Sequence, residues 1–105
     1  MTNKIVVLVT CESLKQARQI GRALVEAELV ACGTLWNAPV DSIYRWKGRV
    51  RSAREFLMIL KTTRARFAAV AEEIRRLHSY EVPEIIALPI ERGSRDYLSW
   101  ISQSV

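Results

Sequence analysis

The stretch HSYEVPEI, residues 78–85, holds the single histidine of the chain, a tyrosine and two carboxylates, with Pro83 among them. Imidazole and carboxylate are ligands for borderline divalent cations, and a thiolate would extend the set toward copper and zinc. Cys11 supplies a thiol just ahead of a helix start, where the partial positive charge favours thiolate. The spacing is not that of a CxxC pair, so only the fold can bring Cys11, His78 and Glu84 together. Each also has a plainer use. His78 can cap the last carbonyls of a helix, Cys11 can be a small buried filler, and Glu84 can pair with an arginine.

The elements that must position these groups come from 105 residues, half of them apolar, which is material for one domain, 1–105, and one core. The formal charge of +5 is spread over helices and a hairpin rather than gathered in a tail, so no nucleic-acid partner is expected. Arg45, Lys47, Arg49 and Arg51 read as a solvated hairpin, with an anion or acidic partner as the alternative. No apolar run reaches the ~20 residues of a membrane span, and Met1 to Lys4 carry no signal-peptide pattern. A soluble cytoplasmic protein is expected, with two cysteines too few for a disulfide framework.

KIVVLVT, residues 4–10, is an apolar β-branched run suited to a central strand. Ser13 and Gln16 form a capping box for an amphipathic helix reaching about residue 29. Residues 31–36 and 40–46 read as one long strand broken near Asn37-Ala38-Pro39, where proline implies a bulge or an edge. Lys47-Gly48 turns the chain into a third strand ending in Phe56–Leu60, apolar on both faces. Thr63 caps a second helix with a Phe67, Val70, Ile74, Leu77 stripe. Pro83 pushes Val82 into extended geometry, residues 84–90 form a strand, and a short helix spans Asp96 to Ser102.

The resulting β-α-β-β-α-β order plus a C-terminal helix implies an α+β, ferredoxin-like sandwich with strand order 4-1-3-2 and an extended hairpin between the second and third strands. The two runs without alternation then take the two central places. The topology puts Cys11, His78, Tyr80, Glu81 and Glu84 at one end of the sheet and Cys32 at the other. A six-residue strand spans about 20 Å, against ~7 Å between bridged Cα atoms, so no Cys11–Cys32 disulfide is expected.

The chain resembles the CutA divalent-cation-tolerance family in VLVTC (7–11), ALVEAELVAC (23–32), SIYRWKG (42–48), LMILKTT (57–63), HSYEVPEIIALPI (78–90) and DYLSW (96–100). The resemblance implies a homotrimer of PII-like architecture, joined through extended hairpins, and a non-catalytic role linked to divalent metals, copper above all. It carries a metal site over to Cys11, His78 and Glu84, and a ligand cleft to Tyr44, Trp46, Lys61, Tyr80 and Trp100. The residues themselves leave Tyr44, Trp46 and Trp100 open between packing and shaping a ligand site. Ser79 stands where the family has proline, and residues 36–39 are one residue longer than usual. A trimer would also pair the exposed edge of the long hairpin.

The competing function is a PII-like signalling trimer that takes a small anion in intersubunit clefts beside Lys61 and the arginines. An RNA-recognition domain shares the element order but needs base-stacking aromatics on its central strands, and EFLMILK offers one. A copper chaperone of this fold would carry a second cysteine after Cys11, where Glu12, Ser13 and Leu14 stand. No Ser–His–acid set or phosphate-cradling glycine loop names a reaction.

Overall fold

In the computed structural model, which describes residues 2–105, strand β1 (Lys4–Cys11) is the spine of the sheet. Its alternate residues Ile5, Val7, Val9 and Cys11 are buried under two helices, and they share a core with Met58 and Leu60. The first helix, α1 (Leu14–Glu26), turns Ala17, Ile20, Gly21 and Leu24 inward at helical spacing. Ser13 caps it by accepting from the Gln16 N–H at 3.1 Å. The reciprocal half of the expected capping box does not form, because the Gln16 side chain instead accepts from the Ser79 hydroxyl at 3.2 Å.

Helix α1 stops at Glu26, three residues short of the expected end. Glu28 adopts a left-handed φ of 57°. Its N–H donates to Val25 and the Leu29 N–H to Leu24, both at 3.0 Å, which closes the helix with a Schellman motif without glycine. The chain then enters β2 (Cys32–Leu35) and, after a break, β3 (Val40–Trp46). Both pair with the fifteen-residue β4 (Arg49–Thr63). Leu35 faces Met58 and Val40 faces Glu55, so residues 36–39 oppose only 56 and 57. This is the expected bulge at Pro39. Lys47 and Gly48 both have positive φ, 51° and 78°, as a two-residue hairpin turn with right-handed strand twist requires.

Thr63 does not cap the second helix with its side chain. One 3-10 turn, Arg64–Arg66, comes first, and α2 (Phe67–Leu77) follows with Val70, Ala71 and Ile74 buried. The last strand, β5 (Ile86–Pro89), begins two residues later than expected, and α3 (Arg95–Ser104) extends one residue earlier and two later. The sheet order is β2-β4-β1-β5 with β3 on the outer half of β4. Counting β2 and β3 as one interrupted strand reproduces the expected 4-1-3-2. The pairs β1–β4, β1–β5, β2–β4 and β3–β4 are all antiparallel.

The two faces of this sheet are treated differently. Helices α1 and α2 seal one. On the other, Val6 and Leu8 pair with Leu88 and Ile86, and both β5 residues remain half exposed. Helix α3 reaches this face at the Cys32 end, where the Tyr97 hydroxyl lies 3.5 Å from Cys32 Sγ. No described helix is long and apolar enough to cross a membrane.

Candidate functional site

Three segments converge at the end of β1. Thr10 and Cys11 close the strand, Glu55 arrives from β4 opposite Val40, and residues 78–85 pass between α2 and β5. With Ser42, Ile43, Tyr44 and Trp46 of β3 they enclose a cleft of about 740 Å³. Its remaining walls are Thr10, Glu55, Ser79, Tyr80, Glu81, Val82, Pro83 and Glu84.

His78 ends α2 through its backbone, whose N–H donates to Ile74 O at 2.8 Å. Its ring does not reach the helix carbonyls. The Tyr80 N–H donates to Nδ1 at 3.0 Å, so Nδ1 is unprotonated and Nε2 carries the proton, which it donates to Thr10 O at 2.8 Å. Both ring nitrogens are thereby committed to main chain, and the residue is 9% exposed. The imidazole ties the 78–85 segment to the end of β1.

The Tyr80 ring leans against that imidazole, centroids 4.7 Å apart, and its hydroxyl donates to Glu55 Oε2 at 2.8 Å. Burial, then the hydrogen bond and charge of Glu55, hold the phenol above its usual range. Glu55 is 7% exposed. Glu84 stands exposed at the rim. Partial desolvation and then the charge on Glu55 push its carboxyl upward.

Cys11 faces the core. Its Sγ donates to Met58 Sδ at 3.6 Å, and its pKa is pushed up from 9.0 to about 11 by burial, then by Glu55 and Glu12. Desolvation and carboxylates outweigh the helix-start effect expected to favour thiolate. The thiol is protonated at neutral pH.

The expected site residues therefore divide. Cys11, His78, Tyr80, Glu81 and Glu84 do share one end of the sheet, but of the proposed ligand set only Glu84 has donor atoms free of another role. Cys11 and His78 fit a cation only after releasing Met58 and a main-chain partner. Among the described residues, no three of His, Cys, Asp and Glu gather into a cation cage. Tyr44, Trp46 and Tyr80 line the cleft, whereas Lys61 and Trp100 do not. Lys61 donates to Thr34 Oγ1 at 2.8 Å on the open sheet face, and Trp100 packs on Tyr97 at 5.4 Å. Both cysteines are free. Cys32 pairs with Lys61 and Cys11 with Phe56, five residues apart along β4, or roughly 17 Å. Sequence reasoning missed Glu55, whose signal was a lone carboxylate entering the apolar run of the third strand.

The family model for the CutA1 divalent ion tolerance protein matches residues 5–104. A Thermus thermophilus protein named divalent-cation tolerance protein CutA is 46% identical over 99 residues, 94% of this chain and 95% of its own length. Its Archaeoglobus fulgidus counterpart is 40% identical over the same share of each. The crystal structure of CutA from Xylella fastidiosa superposes with a TM-score of 0.94 at 32% identity, covering 98% of both chains.

Proposed function

We propose that this chain, which belongs to the CutA1 divalent ion tolerance family, is a non-catalytic divalent-cation-responsive protein whose accessible ligands are the exposed cleft carboxylates Glu81 and Glu84. One observation carries the reading. In a chain of net charge +5, the cleft is lined by Glu55, Glu81 and Glu84 and by no lysine or arginine. The local field attracts cations where the whole-molecule charge repels them. The same lining disfavours the anion-binding, PII-like alternative at this cleft.

Copper or another divalent ion held by Cys11, His78 and Glu84 together is the demanding form of this proposal. The thiol must lose its proton, and the imidazole must give up Thr10 or Tyr80. Oxygen ligation through Glu84 requires neither change and suits harder cations. Titration with zinc, copper and magnesium separates the two. Carboxylate capture expects Glu84→Gln to weaken binding and Cys11→Ser to leave it nearly unchanged. Binding lost in Cys11→Ser and His78→Ala but kept in Glu84→Gln would replace it with the thiol–imidazole site.

A cytoplasmic homotrimer of ferredoxin-like, PII-like architecture belongs to the same proposal. Its supports are the half-exposed Ile86 and Leu88 on the open sheet face and the exposed Val50 on the long hairpin, apolar surface of the kind that marks an interface. A monomeric mass by light scattering would end the trimer, and recovery in another cell fraction would end the localisation.

A further inference from the structure

The size and walls of the cleft carry more than its charge. At about 740 Å³ it has the volume of a small-molecule pocket, far beyond what a metal ion fills. Three aromatic residues, Tyr44, Trp46 and Tyr80, share its wall with the carboxylates Glu55, Glu81 and Glu84. Rings supply negative faces to a soft organic cation and carboxylates supply the charge-assisted hydrogen bonds. A metal ion makes no use of the rings.

A second observation comes from the chain itself. The ammonium of Lys47 lies 5.8 Å from the Trp46 ring centroid, within the range of a cation–π contact. Lys47 itself lies outside the cleft lining, so the contact shows only that this ring is within reach of an alkylammonium group. The carboxylates also sit at different depths, Glu55 buried at 7% exposure and Glu84 at the exposed rim. Two ammonium groups on one flexible aliphatic chain match that pattern, with the methylenes running over the rings.

We propose that the cleft binds a linear aliphatic polyamine, one ammonium toward Glu55 and another at Glu84, with the alkyl chain against Trp46 and Tyr44. The inference rests on the reading of the cleft as a cation site and names a ligand class for it. Bulk attraction of a polycation is opposed by the net charge of +5, so binding would be local to the cleft.

Isothermal titration calorimetry of the intact protein with spermidine, in chelator-treated buffer, is the test. Saturable binding is expected, weakened about fivefold or more by Trp46→Ala or by Glu84→Gln. Glu84 is exposed, so its variant keeps the fold, which circular dichroism checks. No saturable heat with the intact protein, or an affinity unchanged in both variants, overturns the proposal. Butylamine bound as tightly as spermidine would overturn the requirement for two charges. Zinc in the same cell separates this inference from the proposed function. Zinc bound and spermidine refused ends the polyamine reading and leaves the divalent-cation reading standing; spermidine bound and zinc refused does the reverse.

Discussion

His78 and Glu84 lie six residues apart on one segment, yet the structure treats them as opposites. The histidine has both ring nitrogens bonded to main chain and is 9% exposed. The glutamate stands at the rim with its charge raised in energy by partial desolvation and then by Glu55. Both are good ligand types by chemistry. What separates them is whether the donor atoms are already satisfied, because a buried group that has found its partners loses them on binding anything else. Cys11 falls on the closed side with His78, and Tyr80 marks the boundary, its backbone serving the closed side and its hydroxyl the cleft.

The contrast breaks most readily at His78. His78→Ala should destabilise the fold by about 2–4 kcal/mol, since it removes a buried ring and two hydrogen bonds and leaves Thr10 O and Tyr80 N–H without those partners. Urea unfolding measures this, and a loss under ~0.5 kcal/mol, the range of surface changes, would put His78 among the open residues.

Thiol chemistry tests the same division at Cys11. A thiol pKa pushed up from 9.0 to about 11 cuts its thiolate at pH 8 about 100-fold, before burial blocks access. Iodoacetamide should label the half-buried Cys32 in the native protein and Cys11 only after unfolding. The linkage has a definite sign. A folded-state pKa above the unfolded one makes the native state hold its proton longer, so Cys11 contributes stability below pH 9 that is lost between pH 9 and about 11. Rapid native labelling of Cys11 would open the closed side.

The smallest effect is expected at the rim. The native pKa of Glu84 is raised, so the folded state binds more protons than the unfolded one just above the ordinary carboxyl value of 4.5, and stability falls as pH rises through that window. At neutral pH, Glu84→Gln should therefore stabilise slightly, within about 0.5 kcal/mol for so exposed a group. The gain should vanish when thermal unfolding is repeated below pH 4. A destabilised variant at neutral pH would mean that Glu84 is engaged after all.

The sheet was legible in the residues because its signals are local and mutually consistent. KIVVLVT has no polar face to turn outward, Lys47-Gly48 provides the two positive φ values of the turn, and Pro39 cannot donate to a ladder. The boundaries that moved were decided by nonlocal partners. Gln16 abandoned its own helix start for Ser79. Residues 27–29 left the helix for a Schellman turn, and Leu29 O then accepts from the buried hydroxyl of Thr62 at 2.6 Å.

The site was legible only in part, for a related reason. Residue type and topology were enough to bring Cys11, His78, Tyr80 and Glu84 to one end of the sheet. They could not say which way each donor atom pointed, because that is settled by hydrogen bonds to residues far away in the chain. Thr10 O lies 68 positions from His78, Met58 lies 47 from Cys11, and Glu55 lies 25 from Tyr80. The order of elements and the end of the sheet that holds the chemistry were thus determined by the sequence alone. Only tertiary packing decided that the thiol and imidazole face inward and the carboxylates face the cleft. Availability depends on what each polar atom has already met, and those meetings exist only once the chain has folded.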